Sequence, residues 1–160
     1  MGMRLTAWGV VAIVAALLLA GCGGSNDSSS GSSISKEEFI AKADAVCKQS
    51  NKRMEKELFE FLRQNRTGGG SLRKPSVAQN EKFIASVLVP NLRREIKELK
   101  ALGVPDGDEE KVGAMISALE EGLETAENET ATVAAGTSDM IFGIASRLAA
   151  EYGLETCGTR

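Results

Sequence analysis

The sequence predicts an all-α fold, an antiparallel four-helix bundle, and three observations carry that reading. Apolar residues recur at helical spacing along almost the whole stretch from Ser35 to Cys157. Capping boxes at Ser35 and Ser76 open helices, and Gly or Pro punctuation closes them. No segment alternates apolar and polar residues well enough for a strand, and no internal repeat is found. The helical part, roughly 120 residues, suffices for one modest core.

The chain opens on Met1-Gly2-Met3-Arg4, then runs apolar from Leu5 to Leu19, broken only by Thr6 and Gly9. A charged start, a short apolar core and small residues before a cut describe a secretory signal peptide over residues 1–21. A spanning helix needs about 20 apolar residues, and this run falls short. Leu19-Ala20-Gly21-Cys22 resembles the lipobox of bacterial lipoproteins. That resemblance implies cleavage before Cys22, diacylglyceration of its thiol and anchoring to the membrane through acyl chains. Two or more chains make such anchoring stable. The protein is therefore expected outside the cytoplasm, lipid-anchored to the cell membrane. Residues 22–34, Cys22 followed by a Gly/Ser tract, have almost nothing to bury and read as a tether spanning on the order of 20 Å.

Residues 35–160 form the helical domain. Ser35 caps the first helix with Glu38 three residues on, and Phe39, Ile40, Ala43, Val46, Cys47, Ser50, Met54, Leu58, Phe61 and Leu62 share one face. Gly68-Gly69-Gly70 ends it after about Arg66. Ser76 and Gln79 open the second helix, whose stripe is Phe83, Ile84, Val87, Leu88, Leu92, Ile96, Leu99 and Leu102. Pro90 falls inside that stripe and should kink or divide the helix. Gly103 and Pro105 stop it. Asp106 or Asp108 caps the third helix, with Val112, Met115, Ile116, Leu119, Leu123 and Ala126 facing inward. A fourth helix from Thr137 or Ser138 turns Met140, Ile141, Ile144, Ala145, Leu148, Ala149 and Tyr152 to the core, and Gly153-Leu154 reads as a Schellman ending.

With Cys22 committed to lipid, Cys47 and Cys157 remain, and an exported protein usually oxidises such a pair. In an up-down-up-down bundle the first helix starts where the last finishes, so the two cysteines can meet. A Cys-x-x-Cys redox pair is absent, which makes the expected bridge a staple.

The chemistry is mostly exclusion. The chain has no histidine, which removes Ser-His-Asp and Cys-His triads, most zinc sites and the Glu-x-x-His di-iron bundle. No phosphate-cradling glycine motif follows a strand, and Asp106-Gly107-Asp108-Glu109-Glu110 lacks the spacing of a calcium loop. Glu120, Glu124 and Glu127 share one helical side but lie beside the apolar face, where solvation keeps them from acid–base work. The expectation is a non-enzymatic protein with no metal and no cofactor. Lys and Arg concentrate in the first two helices, and Asp and Glu in the last two. Either the halves face one another within the bundle, or the charge simply solubilises it, or the basic side meets anionic headgroups or wall polymers. A net charge of −3 and few aromatics weigh against nucleic acid.

Ser35-Lys36-Glu37-Glu38-Phe39 with Ala43-Asp44-Ala45-Val46-Cys47, Val89-Pro90-Asn91-Leu92, Leu102 to Asp108, and Tyr152 to Gly158 also resemble uncharacterised helical lipoproteins of high-GC Gram-positive bacteria. That resemblance implies an exported helical domain with a disulfide and no particular activity. Two functional readings follow. The first is a helical module that binds an envelope protein or polymer through an exposed face. The alternative is a carrier of a small apolar ligand near the Pro90 kink, lined by Phe83, Val87 and Leu88. A closed apolar cavity of about 300 Å³ or more separates the second from the first.

Overall fold

A computed structural model of the chain describes residues 34–65 and 75–159, and every regular element among them is helical. The segment expected as a signal peptide, Cys22, the expected tether as far as Ser33, Arg66 and Gly68 to Gly70 lie outside the described residues. Helix α1, Lys36–Gln64, starts at Ser35, whose extended backbone lets its hydroxyl accept from the Glu38 N–H at 3.1 Å. Helix α2, Val77–Phe83, opens on the full reciprocal capping box: Ser76 accepts from the Gln79 N–H while the Gln79 side chain accepts from the Ser76 N–H.

Pro90 divides the second helical segment without breaking its course. A π-helical turn, Ile84–Leu88, joins α2 to α3, Val89–Lys100, and the Val89 N–H donates to the Ile84 carbonyl five residues back. Proline lacks a donor, and its ring meets the carbonyl four residues earlier. The wider π turn just before it makes room for that ring. Gly103, at φ +79°, ends the segment. Helix α4, Glu109–Asn128, gives way to a single turn α5, Thr130–Thr132, and a second π-type segment, Val133–Thr137, in which Gly136 takes φ +119°. Helix α6, Ser138–Tyr152, begins where the sequence places it.

The end of α6 is a complete Schellman motif. The Gly153 N–H donates to Ala150 O at 3.0 Å and the Leu154 N–H to Ala149 O at 2.9 Å, with Gly153 at φ +107°. The chain then doubles back into a 3₁₀ turn, Cys157–Thr159, that packs on α6 and α1.

One core cluster joins Phe39 and Ala43 of α1, Leu92 and Ile96 of α3, Met115 and Leu119 of α4, and Ala149 and Tyr152 of α6. A smaller cluster gathers Ile84, Val89, Ala126, Val133 and Ala134, where Asn80 Nδ2 donates to the Ala134 carbonyl at 2.9 Å. Helices α4 and α6 pack tightly at Gly122, where a Cβ would stand 2.6 Å from the Phe142 ring. Three residues expected in the core are exposed instead: Leu58, Leu62 and Ile144. Leu58 and Leu62 lie in the last two turns of α1, and Ile144 lies in the middle of α6.

Candidate functional site

The central feature is a cavity of about 320 Å³ between the helices. Helical spacing builds its first wall: Leu88, Leu92, Glu95 and Leu99 follow one another at intervals of four, three and four residues, so they share one side of the π turn and α3. Ser50, Asn51 and Met54 of α1 form a second wall, and Met115 and Leu119 of α4 a third. Phe142, Ala145, Ser146 and Ala149 of α6 close the fourth side, with Phe83 and Cys157 completing the lining. Small residues on α6 leave the volume open, because Ala145 and Ala149 stand where longer side chains would fill it.

Of the three residues expected to line a ligand gap, Phe83 and Leu88 do so and Val87 does not. Val87 is buried outside the cavity, and its carbonyl accepts from Asn91 Nδ2 at 3.0 Å. The cavity lies deeper than the Pro90 kink, reaching down α3 to Leu99.

Glu95 is the residue that pattern reading passes over. It is 1 % exposed, and its Oε1 lies 3.7 Å from Cys47 Sγ. The signal was present in the sequence: Glu95 occupies the slot between Leu92 and Leu99 that the apolar stripe reserves for a core residue. Asn91, also fully buried, donates from its amide to Glu57 on α1.

The C-terminal segment reaches the cavity at Cys157. The sulfurs of Cys47 and Cys157 stand 1.94 Å apart with Cα atoms at 5.4 Å, a pair at disulfide distance. Beside it, the Asp44 carboxylate accepts from the backbone N–H groups of Glu155 at 3.1 Å, Thr156 at 2.7 Å and Cys157 at 3.3 Å. A carboxylate taking three backbone donors fixes the segment on α1. Gly158 packs so tightly on Ala150 that a Cβ would approach its backbone nitrogen to 2.9 Å.

Asp108 stands at the N-cap position of α4, yet its side chain makes no capping bond. It accepts instead from the Tyr152 hydroxyl at 2.8 Å and from Lys111 Nζ at 3.2 Å. These donors, Tyr152 foremost, hold the Asp108 carboxyl below the ordinary carboxylate range. Burial, reinforced by the hydrogen bond to Asp108, pushes the Tyr152 phenol above its ordinary value. Tyr152 also packs edge-on against Phe39, with ring centroids 5.8 Å apart.

The uneven charge is matched across the helices. Arg93 of α3 meets Glu127 of α4 at 2.6 Å, Lys100 pairs with Glu120, and Arg53 of α1 meets Glu98 of α3 at 3.0 Å. Two of the three carboxylates on that side of α4 therefore serve as ion-pair partners at the surface. Among the described residues, no group of three or more His, Cys, Asp and Glu stands where it could hold a metal, and no helix is long and apolar enough to cross a membrane.

Comparison with protein-family profiles, curated protein sequences and solved structures finds no match to this chain.

Proposed function

We propose that this protein is a lipid-anchored, extracytoplasmic carrier that holds one small apolar ligand between its helices and releases it unchanged. The cavity of about 320 Å³ carries this reading. It falls within the ordinary range for small-molecule sites, mostly apolar with a few convergent polar groups. An apolar cavity of about 150 Å³ is enough to hold benzene, so this one suits a ligand of roughly twice that bulk. Met54 and Met115 in the wall give it adaptable surface.

The scaffold in this reading is an antiparallel four-helix bundle, with α2 and α3 counted as one bent member. Residue pairings support it. Arg93 and Lys100 meet Glu127 and Glu120 in reversed order, and the start of α4 meets the end of α6 through Asp108 and Tyr152. Cleavage before Cys22 and acylation of its thiol would tie this scaffold to the membrane by the tether, as the lipobox resemblance implies.

The test places decanol with the full chain in zwitterionic nanodiscs and follows the methyl signals of Met54 and Met115 by NMR. Saturable shifts of both methyls are expected. Methyls that stay put at every alcohol concentration would refute the carrier reading.

A second reading, an envelope interaction module, rests on a different observation. Leu58, Phe59 and Leu62 are exposed together on the last turns of α1, Phe59 at 69 %, beside Lys52, Lys56 and Arg63. Glu55 and Glu60 stand among those cations, with Lys56 paired to Glu60 at 4.0 Å, so the patch is apolar with a rim of mixed charge and fits an apolar partner surface. Phe59→Ser with Leu62→Ser should release such a partner and leave ligand binding unchanged.

A further inference from the structure

We propose that the cavity is a narrow channel along the bundle axis, and that its ligand is a single unbranched alkyl chain rather than a compact ring system of equal bulk. The inference rests on the carrier reading and sharpens it from any small apolar molecule to one shape. The volume of the cavity and the axial spread of its lining carry it together.

The lining is long in one direction. Phe83 and Leu99 both bound the cavity, sixteen residues apart along one helical course, and a rise of about 1.5 Å per residue separates them by about 24 Å. Helical side chains lean toward the N-terminus alike, so the separation carries over from backbone to tips. Antiparallel pairings place the rest of the far end. Lys100 meets Glu120, which sets Leu119 beside Leu99, and Tyr152 meets Asp108, which brings Ala149 toward Met115 in the first turns of α4. Allowing about 4 Å for van der Waals contact at each end leaves about 16 Å of axis for a ligand.

A volume of about 320 Å³ spread over that length has a mean cross-section of about 20 Å², a channel about 5 Å wide. Rounded into a sphere, the same volume would be about 8.5 Å long with a mean section of about 38 Å², nearly twice as broad. Packed carbons keep about 3.5–4 Å from their neighbours, so the channel admits methylene groups in single file. A caged ring system would have to part the helices. Scaling from benzene in about 150 Å³, the cavity takes roughly a dozen non-hydrogen atoms, close to decanol. Leu88, Leu92 and Leu99 would follow such a chain along one wall, with Met54, Met115 and Phe142 on the others.

Decanol and 1-adamantanol carry the same number of carbons and a single hydroxyl, one as a thread and the other as a cage. Each is titrated into the full chain in zwitterionic nanodiscs and followed by the methyl signals of Met54 and Met115. Affinities are referred to the alcohol's mole fraction in the bilayer, so that hydrophobicity cancels and fit to the cavity remains. Overpacking by the cage gives an expected preference for decanol of about fivefold or more. Bound decanol should also give nuclear Overhauser contacts from one end to Leu88 and from the other to Leu99. A smaller preference, or contacts from both ends to the same leucine, overturns the channel and leaves the carrier reading standing. If neither alcohol binds, both readings fall together. Ala145→Leu supplies the control, since a filled cavity should lose both alcohols, and the wild-type comparison decides the matter even where that variant does not fold.

Discussion

Replacing Gly122 with alanine probes how closely α4 and α6 approach, and its effect can be worked from the structure. The new Cβ would stand 2.6 Å from Phe142 Cε1, 2.7 Å from Cδ1 and 3.2 Å from the Ile141 carbonyl oxygen. The ring must turn and the two backbones must part, an overpacking that costs about 1–3 kcal/mol. Against this, losing a glycine inside a helix returns about 0.8–1 kcal/mol of propensity. The steric cost wins, leaving a net loss of about 1 kcal/mol. Gly113 lies in the same helix with nothing within 4 Å of its would-be Cβ, so Gly113→Ala should gain the propensity alone. For a domain of this size the two variants should melt about 6–10 °C apart, with wild type between them. Calorimetry on the three proteins side by side reads this directly. Gly122→Ala melting at or above wild type would refute the close α4–α6 contact and, with it, the placement of Phe142 on the cavity wall.

Further outcomes follow from the anchor, the cysteine pair and the tyrosine. Cys22→Ala should move the protein from the membrane to the soluble fraction on fractionation; unchanged membrane attachment would contradict acylation. Cys47→Ser and Cys157→Ser should lower stability equally, by up to about 4–5 kcal/mol for a sequence separation of 110 residues, and unequal losses in urea melts would argue against pairing. The folded Asp108 holds its proton less tightly than the unfolded chain does, so its contribution is present above about pH 4 and is lost as pH falls further. Tyr152 has the opposite sign. The folded state keeps the phenol proton, so its contribution is full below about pH 10 and is lost as pH rises beyond it. Tyr152 is the chain's sole tyrosine, which makes ultraviolet absorbance a direct readout. Ionisation near pH 10 in the still-folded protein would contradict its burial against Asp108.

Much of the helical framework was legible because it is written in local chemistry. Ser35, Ser76, Gly103 and Gly153 act within a turn of themselves, and each does what its residue type dictates. The approach of Cys47 to Cys157 agrees with the pairing expected of the two cysteines left in the helical part. What the sequence hid is what depends on distant partners. Asp108 reads as a cap but is drawn off to a tyrosine 44 residues away. Leu58, Leu62 and Ile144 fit their stripes, yet the fold leaves all three exposed. The π turn before Pro90 settles a choice between kink and break that the proline alone leaves open. The cavity was the least legible feature, because it is the volume left over when four walls pack, and no single segment encodes it. Phe83 and Leu88 pointed toward it from one wall, while Glu95 stayed hidden as a polar letter inside an apolar pattern.

The most direct measurement is native mass spectrometry of the protein extracted from its own membranes without reductant, for wild type and Ala145→Leu together. The carrier account predicts a wild-type population heavier than the acylated chain by one small molecule, absent from the cavity-filled variant. A bare acylated chain in both, or the same adduct in both, would contradict it.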